Sequence, residues 1–185
     1  LRILLAAGRG FRKRGYEGIG VDGLAKEAGV TSGAFYVHFG SKAEAFKEAV
    51  LAGLRDLQAG VERFQAEHGP GWIEAFVDFY LSDKRTCDLS EACALQSLTP
   101  EVVRAEATVR DLYQSELAKV IDVIAKGLPQ PNAAERRNSA WALISMLSGA
   151  VTIARAMHDA PQAAKVAKAV RPAAIAVARS ASGAG

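Results

Sequence analysis

Apolar residues recur along this chain at the three-and-four spacing of helices, and no stretch alternates as a strand would. The clearest run follows Ser41: Phe46, Val50, Leu54, Leu57, Val61 and Phe64 predict a long amphipathic helix of about six turns. Its start is marked by Ser41-Lys42-Ala43-Glu44, a capping box in which each side chain accepts from the other residue's backbone N–H. Upstream, Ile3, Leu4, Ala7 and Phe11 share one face of a helix over 1–14. Gly8 and Gly10 weaken it by about 1 kcal/mol each relative to Ala, and Gly15 ends it. A second helix over about 21–28 turns Leu24 and Ala25 inward and is closed by Gly29 as a left-handed cap. Thr31 then caps a third helix over about 32–38.

Beyond the long helix, His68-Gly69-Pro70-Gly71 breaks the pattern, and a fifth helix carries Trp72, Phe76, Phe79 and Tyr80. A short sixth helix over 87–98 is expected to start at Asp88 or Ser90. Thr99-Pro100-Glu101 reads as a fresh start: a cap, a proline at the first helical position and an acid on the dipole. The seventh helix then carries Val102, Val109, Leu112, Tyr113, Leu117, Val120 and Ile124. After Leu128-Pro129-Gln130-Pro131, Asn132 and Glu135 form a second capping box for an eighth helix ending near His158. Its middle, 141–154, is apolar nearly all round and must be covered on several sides. A ninth, alanine-rich helix over about 162–178 should be kinked or interrupted by Pro172. The pattern therefore predicts an all-α fold of about nine helices with a Ser/Gly/Ala tail. It divides into a three-helix head, residues 1–45, and a larger helical domain, residues 46–185.

Composition agrees: half of the 185 residues are apolar, 23% are charged and only six are proline, as an ordered helical globule requires. The formal charge of +3 is uneven. Residues 1–42 hold seven Lys/Arg against three acids, net +4, and the rest hold sixteen against seventeen, net −1. A positive excess confined to the head suits a phosphate-facing surface, although four charges are also ordinary surface. Cys87 and Cys93, six apart, match neither a C-x-x-C motif nor a zinc spacing and read as reduced packing cysteines in a cytoplasmic protein. The uncharged run 138–154 is too short and too serine-rich for a membrane span and reads as a buried helix. No secretory signal is visible, and the start at Leu1 rather than Met points to residues ahead of it.

Two short helices joined at Gly29 form the helix-turn-helix device that places its second helix in the DNA major groove. Such a helix needs small or short polar residues at its N-terminal end, so that backbone and side chains reach base edges and thymine methyls. Thr31, Ser32, Gly33 and Ala34 meet that need. Tyr36 and His38 can donate to phosphates, and Lys42 stands at a helix N-terminus that favours phosphate. Phe35 and Phe39 read as core anchors; Tyr36, beside an inward phenylalanine, should face out, and His38 serves equally as phosphate donor or plain surface.

The order of these signals, from the IL-x-AA-x-x-x-F helix through V-D-x-LA-x-EAGV to T-S-G-x-FY-x-HF-x-SK-x-E, resembles the TetR family of transcriptional regulators over residues 3–46. The resemblance implies a homodimeric repressor with an N-terminal DNA-binding domain and a C-terminal effector-binding and dimerisation domain. By position it implies DNA contacts at Thr31, Ser32, Gly33, Ala34, Tyr36, Val37, His38 and Lys42. Two departures predict a looser head: Ile19-Gly20 stands where a Ser or Thr cap is usual, and Gly10 where a bulky apolar residue is common.

A regulator of this kind needs a pocket, and clefts between helices are the default site. Candidate lining residues are Trp72, Phe76, Phe79, Tyr80, Cys93, Gln96, Tyr113 and Trp141, though core packing accounts for any one of them as well. The set is aromatic and poor in charge, which suits a small lipophilic or aromatic effector. No cofactor or metal is expected, since His38, His68 and His158 show no ligand spacing. The last two helices, with Trp141, Ile144, Leu147, Val151, Val166 and Val170, read as the interface of an isologous homodimer. Such a dimer would hold two heads about one DNA turn, roughly 34–36 Å, apart on a pseudo-palindromic operator. One other reading stays open, a small-molecule-binding helical protein whose head no longer reads DNA; an enzyme is not expected, since no G-x-S-x-G elbow or phosphate-cradling loop is present.

Overall fold

The computed structural model describes residues 2–180; the Ser/Gly/Ala tail, 181–185, lies outside them. Among the described residues all regular structure is helical: α1 (Arg2–Arg14), α2 (Val21–Ala28), α3 (Ser32–Phe39), α4 (Lys42–His68), α5 (Trp72–Leu81), α6 (Asp83–Thr86), α7 (Ala94–Val102), α8 (Ala107–Lys126), α9 (Ala133–Arg155) and α10 (Ala160–Arg179). Single 3-10 turns cover Gly69–Gly71 and Leu89–Glu91. Packing groups these into two compact units, Leu1–Asp56 with Asp88–Glu116, and Leu57–Cys87 with Leu117–Gly185. The division expected after residue 45 follows the motif; the packed unit around the head instead runs to Asp56 and takes in α7 and the start of α8.

In the first unit, α1 packs on α2 and α7, and α2 on α3. Ala6, Ala7 and Phe11 of α1 are buried with Leu24, Ala25, Phe35, Phe39, Phe46 and Val50. Phe11, Tyr16 and Phe46 form an aromatic cluster, with Phe46 edge-on to both partners at centroid separations of 5.3 and 5.1 Å. Gly10 does not loosen this core. A Cβ there would lie 2.9 Å from Leu24 Cδ2 and 3.0 Å from Ile19 Cδ1. The glycine is what lets buried Ile19 and Leu24 fill the space a bulkier residue would take. Gly20, by contrast, starts α2 with no side-chain cap, as its sequence implies.

The second unit packs α10 along α9 and α5, with α5 and α6 also against α9. Ile121, Ile124, Leu143, Ile144, Leu147 and Val151 are essentially inaccessible in its core, and Phe64, Trp72, Phe76 and Tyr80 form a connected aromatic series in the same unit. The Trp72 indole N–H donates to the Gly127 carbonyl at 3.0 Å, so the end of α8 is tied to the start of α5. Arg171 and Arg179 each grip a carboxylate of α5 with two nitrogens, Asp78 at 2.5 and 2.9 Å and Glu74 at 2.6 Å twice.

Two proline expectations fail. Pro100 does not restart the chain. It lies inside α7, where Leu98 and Val102 are buried on either side and the Val103 N–H reaches the Thr99 carbonyl past the missing donor. Thr99 is accordingly not a cap; its hydroxyl pairs with the Leu95 carbonyl and the Tyr113 hydroxyl. Residues 87–93 hold only a 3-10 turn, so the expected sixth helix begins seven residues later, at Ala94. Pro172 does not interrupt α10 either; it faces solvent, and the arginines at 171 and 179 hold the helix down on both sides of it. The capping boxes are half realised: Ser41 and Asn132 accept the Glu44 and Glu135 N–H at 3.0 and 2.8 Å, while the Glu44 carboxylate turns to Lys47 and Glu135 to the Asn132 amide.

Candidate nucleic-acid interface

The α2–α3 pair is set by its turn. Gly29 is left-handed at φ 67°, its N–H reaching the carbonyls of Ala25 and Lys26, and the Val30 N–H returns to Ala25 at 3.0 Å. Thr31 caps α3, its hydroxyl accepting the Ala34 N–H at 3.1 Å. The Ser32 hydroxyl donates to Asp22 Oδ1 at 2.5 Å, bracing the first turn of α3 against the first turn of α2. The sequence reading missed Asp22; its place in the first turn of α2, ten residues before Ser32, was the available signal.

Phe35 and Phe39 turn inward with centroids 4.8 Å apart, leaving 0% and 5% exposed. The opposite face of α3 is bare: Gly33, Ala34, Tyr36, Val37 and His38 are all exposed. Val37 is 90% exposed and Tyr36 half exposed. A valine with almost no protein contact on a helix whose other face is fully packed has no structural task within this unit, and it offers a methyl pair of the kind that reads thymine.

Charge around this face is narrower than composition suggests. Arg12 is drawn inward, its Nε donating to the Ser90 carbonyl at 2.7 Å, and burial lowers its pKa although Glu91 and Asp56 oppose the shift. Arg14 lies 3.4 Å from Glu27. Lys42, at the first position of α4, rests its ammonium 4.4 Å from the Tyr16 ring centroid, and Ser41 anchors the turn that carries it. Arg2, Lys13 and Lys26 stay exposed with no ion pair among the described residues.

Residues 3–49 match the family model described as bacterial regulatory proteins, tetR family. Over those residues the chain is similar to the N-terminal segment of tetR-family regulators. The HTH-type transcriptional activator FasR of Mycolicibacterium smegmatis (strain ATCC 700084 / mc(2)155) is 31% identical over 90 residues, 45% of this chain, and the match spans only 41% of FasR. Solved structures extend the likeness in fold to nearly the whole chain. A TetR transcriptional regulator from Legionella pneumophila matches with TM-score 0.78 and 16% identity, covering 96% of both chains. FadR from Bacillus subtilis, in complex with stearoyl-CoA, matches with TM-score 0.70 and 15% identity over 96% of both chains. Beyond residue 49 these solved structures show a likeness of fold alone.

The remaining expected residues fall into two groups. Trp72, Phe76, Phe79 and Tyr80 share the second unit, where the Phe76 ring lies between Trp72 and Tyr80, tilted to both, and all but Phe79 are buried. Trp141 belongs to that unit too but is 39% exposed. Cys93, Gln96 and Tyr113 belong to the first unit, so neither unit assembles all eight. A cavity of about 320 Å³ in the second unit takes in only Trp72 of them, beside Gln65, Ile73 and Arg179. Of the expected dimer residues, Ile144, Leu147 and Val151 are at most 2% exposed within their own unit, which corrects their assignment to a surface seam. The outward stripe of α9 is instead Trp141, Ser145, Gly149, Thr152 and Ile153, and Val166 and Val170 of α10 are half-buried. No helix among the described residues is long and apolar enough to cross a membrane.

Proposed function

We propose that the chain is a ligand-responsive transcriptional regulator that binds a pseudo-palindromic operator as a homodimer. The observation that carries this is α3, with two phenylalanines locked inward and Gly33, Ala34, Tyr36, Val37 and His38 bare on the other side. Gly33 and Ala34 let the backbone approach base edges, Val37 meets a thymine methyl, and Tyr36 and His38 reach phosphates. Thr31 and Ser32 contribute through the turn they fix, and Lys42 trades its place on Tyr16 for a phosphate. The homodimer uses the α9 stripe around Trp141, Gly149 and Ile153, where small residues allow close approach.

The reading is a repressor released by a small lipophilic or aromatic effector held against the aromatic series of the second unit, Trp72, Phe76, Phe79 and Tyr80. Two relatives bear on it from different sides: FadR of Bacillus subtilis was solved with stearoyl-CoA, a lipophilic thioester, and FasR is named an activator. The test is selection of bound sequences from random duplex DNA, followed by a salt titration of the selected site. The expected result is an inverted repeat with half-sites about one turn apart, and a salt slope that falls by about 1 in Lys42→Ala. Selection that yields no enriched sequence would overturn the reading in favour of a small-molecule-binding protein that has lost its DNA site; an unchanged slope would remove Lys42 from the contacts.

A further inference from the structure

A cavity of about 260 Å³ lies wholly within the first unit, walled by the α1–α2 turn, the first turns of α4 and the α7–α8 connection. None of the residues assigned to DNA or effector lines it. One wall is aromatic, Tyr16 and Phe46 edge-on at 5.1 Å. The lining holds four carboxylates and two cations. Lys47 is taken by Glu44, and Arg104 lies 3.8 Å from Glu101. Glu17 and Glu106 are left with no ion pair among the described residues. Both act on the same point: burial holds the Tyr16 phenol above its usual pKa, and the fields of Glu17 and Glu106 push it further the same way.

An aromatic wall beside uncompensated carboxylates selects for positive charge, because the ring face and the carboxylates attract a cation together and repel an anion. The Lys42 ammonium already lies 4.4 Å from the Tyr16 ring centroid, so a guest's charge is drawn to Glu17 and Glu106 and not to that ring face. A bare metal ion is the wrong guest: among the described residues no three His, Cys, Asp or Glu side chains come together as ligands, and half of the wall is apolar. The volume is somewhat below the usual range of about 300–1,000 Å³ for drug-sized ligands, so the guest must be small. We propose that this cavity binds a small organic cation, its ammonium group facing Glu17 and Glu106 and its apolar part lying against Tyr16 and Phe46.

The test is calorimetric titration of the full chain, without DNA, with benzyltrimethylammonium, benzyl alcohol and benzoate. Saturable binding of the cation alone is expected, weakened about tenfold in the Glu17→Gln, Glu106→Gln double variant. Both glutamates are exposed, so circular dichroism should be unchanged in that variant. No saturable binding of the cation, equal binding of benzyl alcohol, or undiminished binding by the double variant would each overturn the proposal. Because DNA is absent throughout, none of these results depends on whether the head reads an operator.

Discussion

Gly53 sits in α4 where the helix passes the first residue of α7, and a Cβ built on it would lie 2.2 Å from Ala94 Cβ and 3.7 Å from Ala94 Cα. Carbon atoms rest at about 3.5–4.0 Å, so Gly53→Ala forces a separation of more than about 1 Å. Neither methyl can rotate away, as a long side chain could. Two methyls that cannot yield put the cost in the upper part of the usual overpacking range, about 2–3 kcal/mol, and alanine's better helix propensity returns about 1 kcal/mol. The net expectation is a loss of about 1–2 kcal/mol, or a Tm lower by about 2–8 °C at this chain length. Circular dichroism reads the whole chain. Trp72 and Trp141 both lie in the other unit, so indole fluorescence reads unfolding there separately. Adding Ala94→Gly removes the opposing methyl, and the double variant should recover most of the loss, a positive coupling in the mutant cycle. If Gly53→Ala is as stable as the parent chain, or if the double variant merely sums the two single effects, the close approach is wrong.

Val37→Ala should change stability by less than about 0.5 kcal/mol, since the side chain is 90% exposed, yet weaken binding to the selected operator by about 1 kcal/mol; unfolding curves and a DNA titration on one protein preparation measure both. Hydrogen bonds from Arg179 and Arg171 hold the carboxyls of Glu74 and Asp78 below their usual range. A depressed folded pKa gives stability that is complete above the unfolded pKa of about 4 and is lost as pH falls through the folded value. Urea midpoints of the second unit, followed by Trp72 fluorescence, should therefore drop below about pH 4, and drop less in Glu74→Gln with Asp78→Asn. Gly149 has no atom within 4 Å of an added Cβ, so Gly149→Ala should stabilise the isolated chain by about 1 kcal/mol while weakening self-association in sedimentation; unchanged association would clear this part of α9 from the seam.

What the sequence made legible was whatever depends on neighbours in the chain. The turn at Gly29, the Thr31 cap, the inward pair Phe35 and Phe39 and the start of α4 at Ser41 are all local devices, and each stands where its residues place it. Where a residue's meaning depends on a distant partner, local reading failed. Gly10 looked like a weakness because its partners, Ile19 and Leu24, lie on the next element. Pro100 and Pro172 looked like breaks because propensity counts the missing N–H but not the burial of Leu98 and Val102, or the grip of Arg171 and Arg179 on α5. Arg12 counted toward a phosphate surface until the Ser90 carbonyl, 78 residues on, turned it inward.

Helix α9 shows the same limit in its most instructive form. A helix apolar nearly all round says that every side is covered, but not which side its own chain covers. Leu143, Ile144, Leu147 and Val151 are consumed by the second unit's own core. The side left bare has a different composition: Trp141, Ser145, Gly149, Thr152 and Ile153, small residues with two large apolar ones. A stripe meant for water would carry charge, and the uncharged run from Asn138 to Ala154 carries none on any face. Exposure thus moves the proposed partner contact off the residues that looked most hydrophobic and onto those that are apolar without being used.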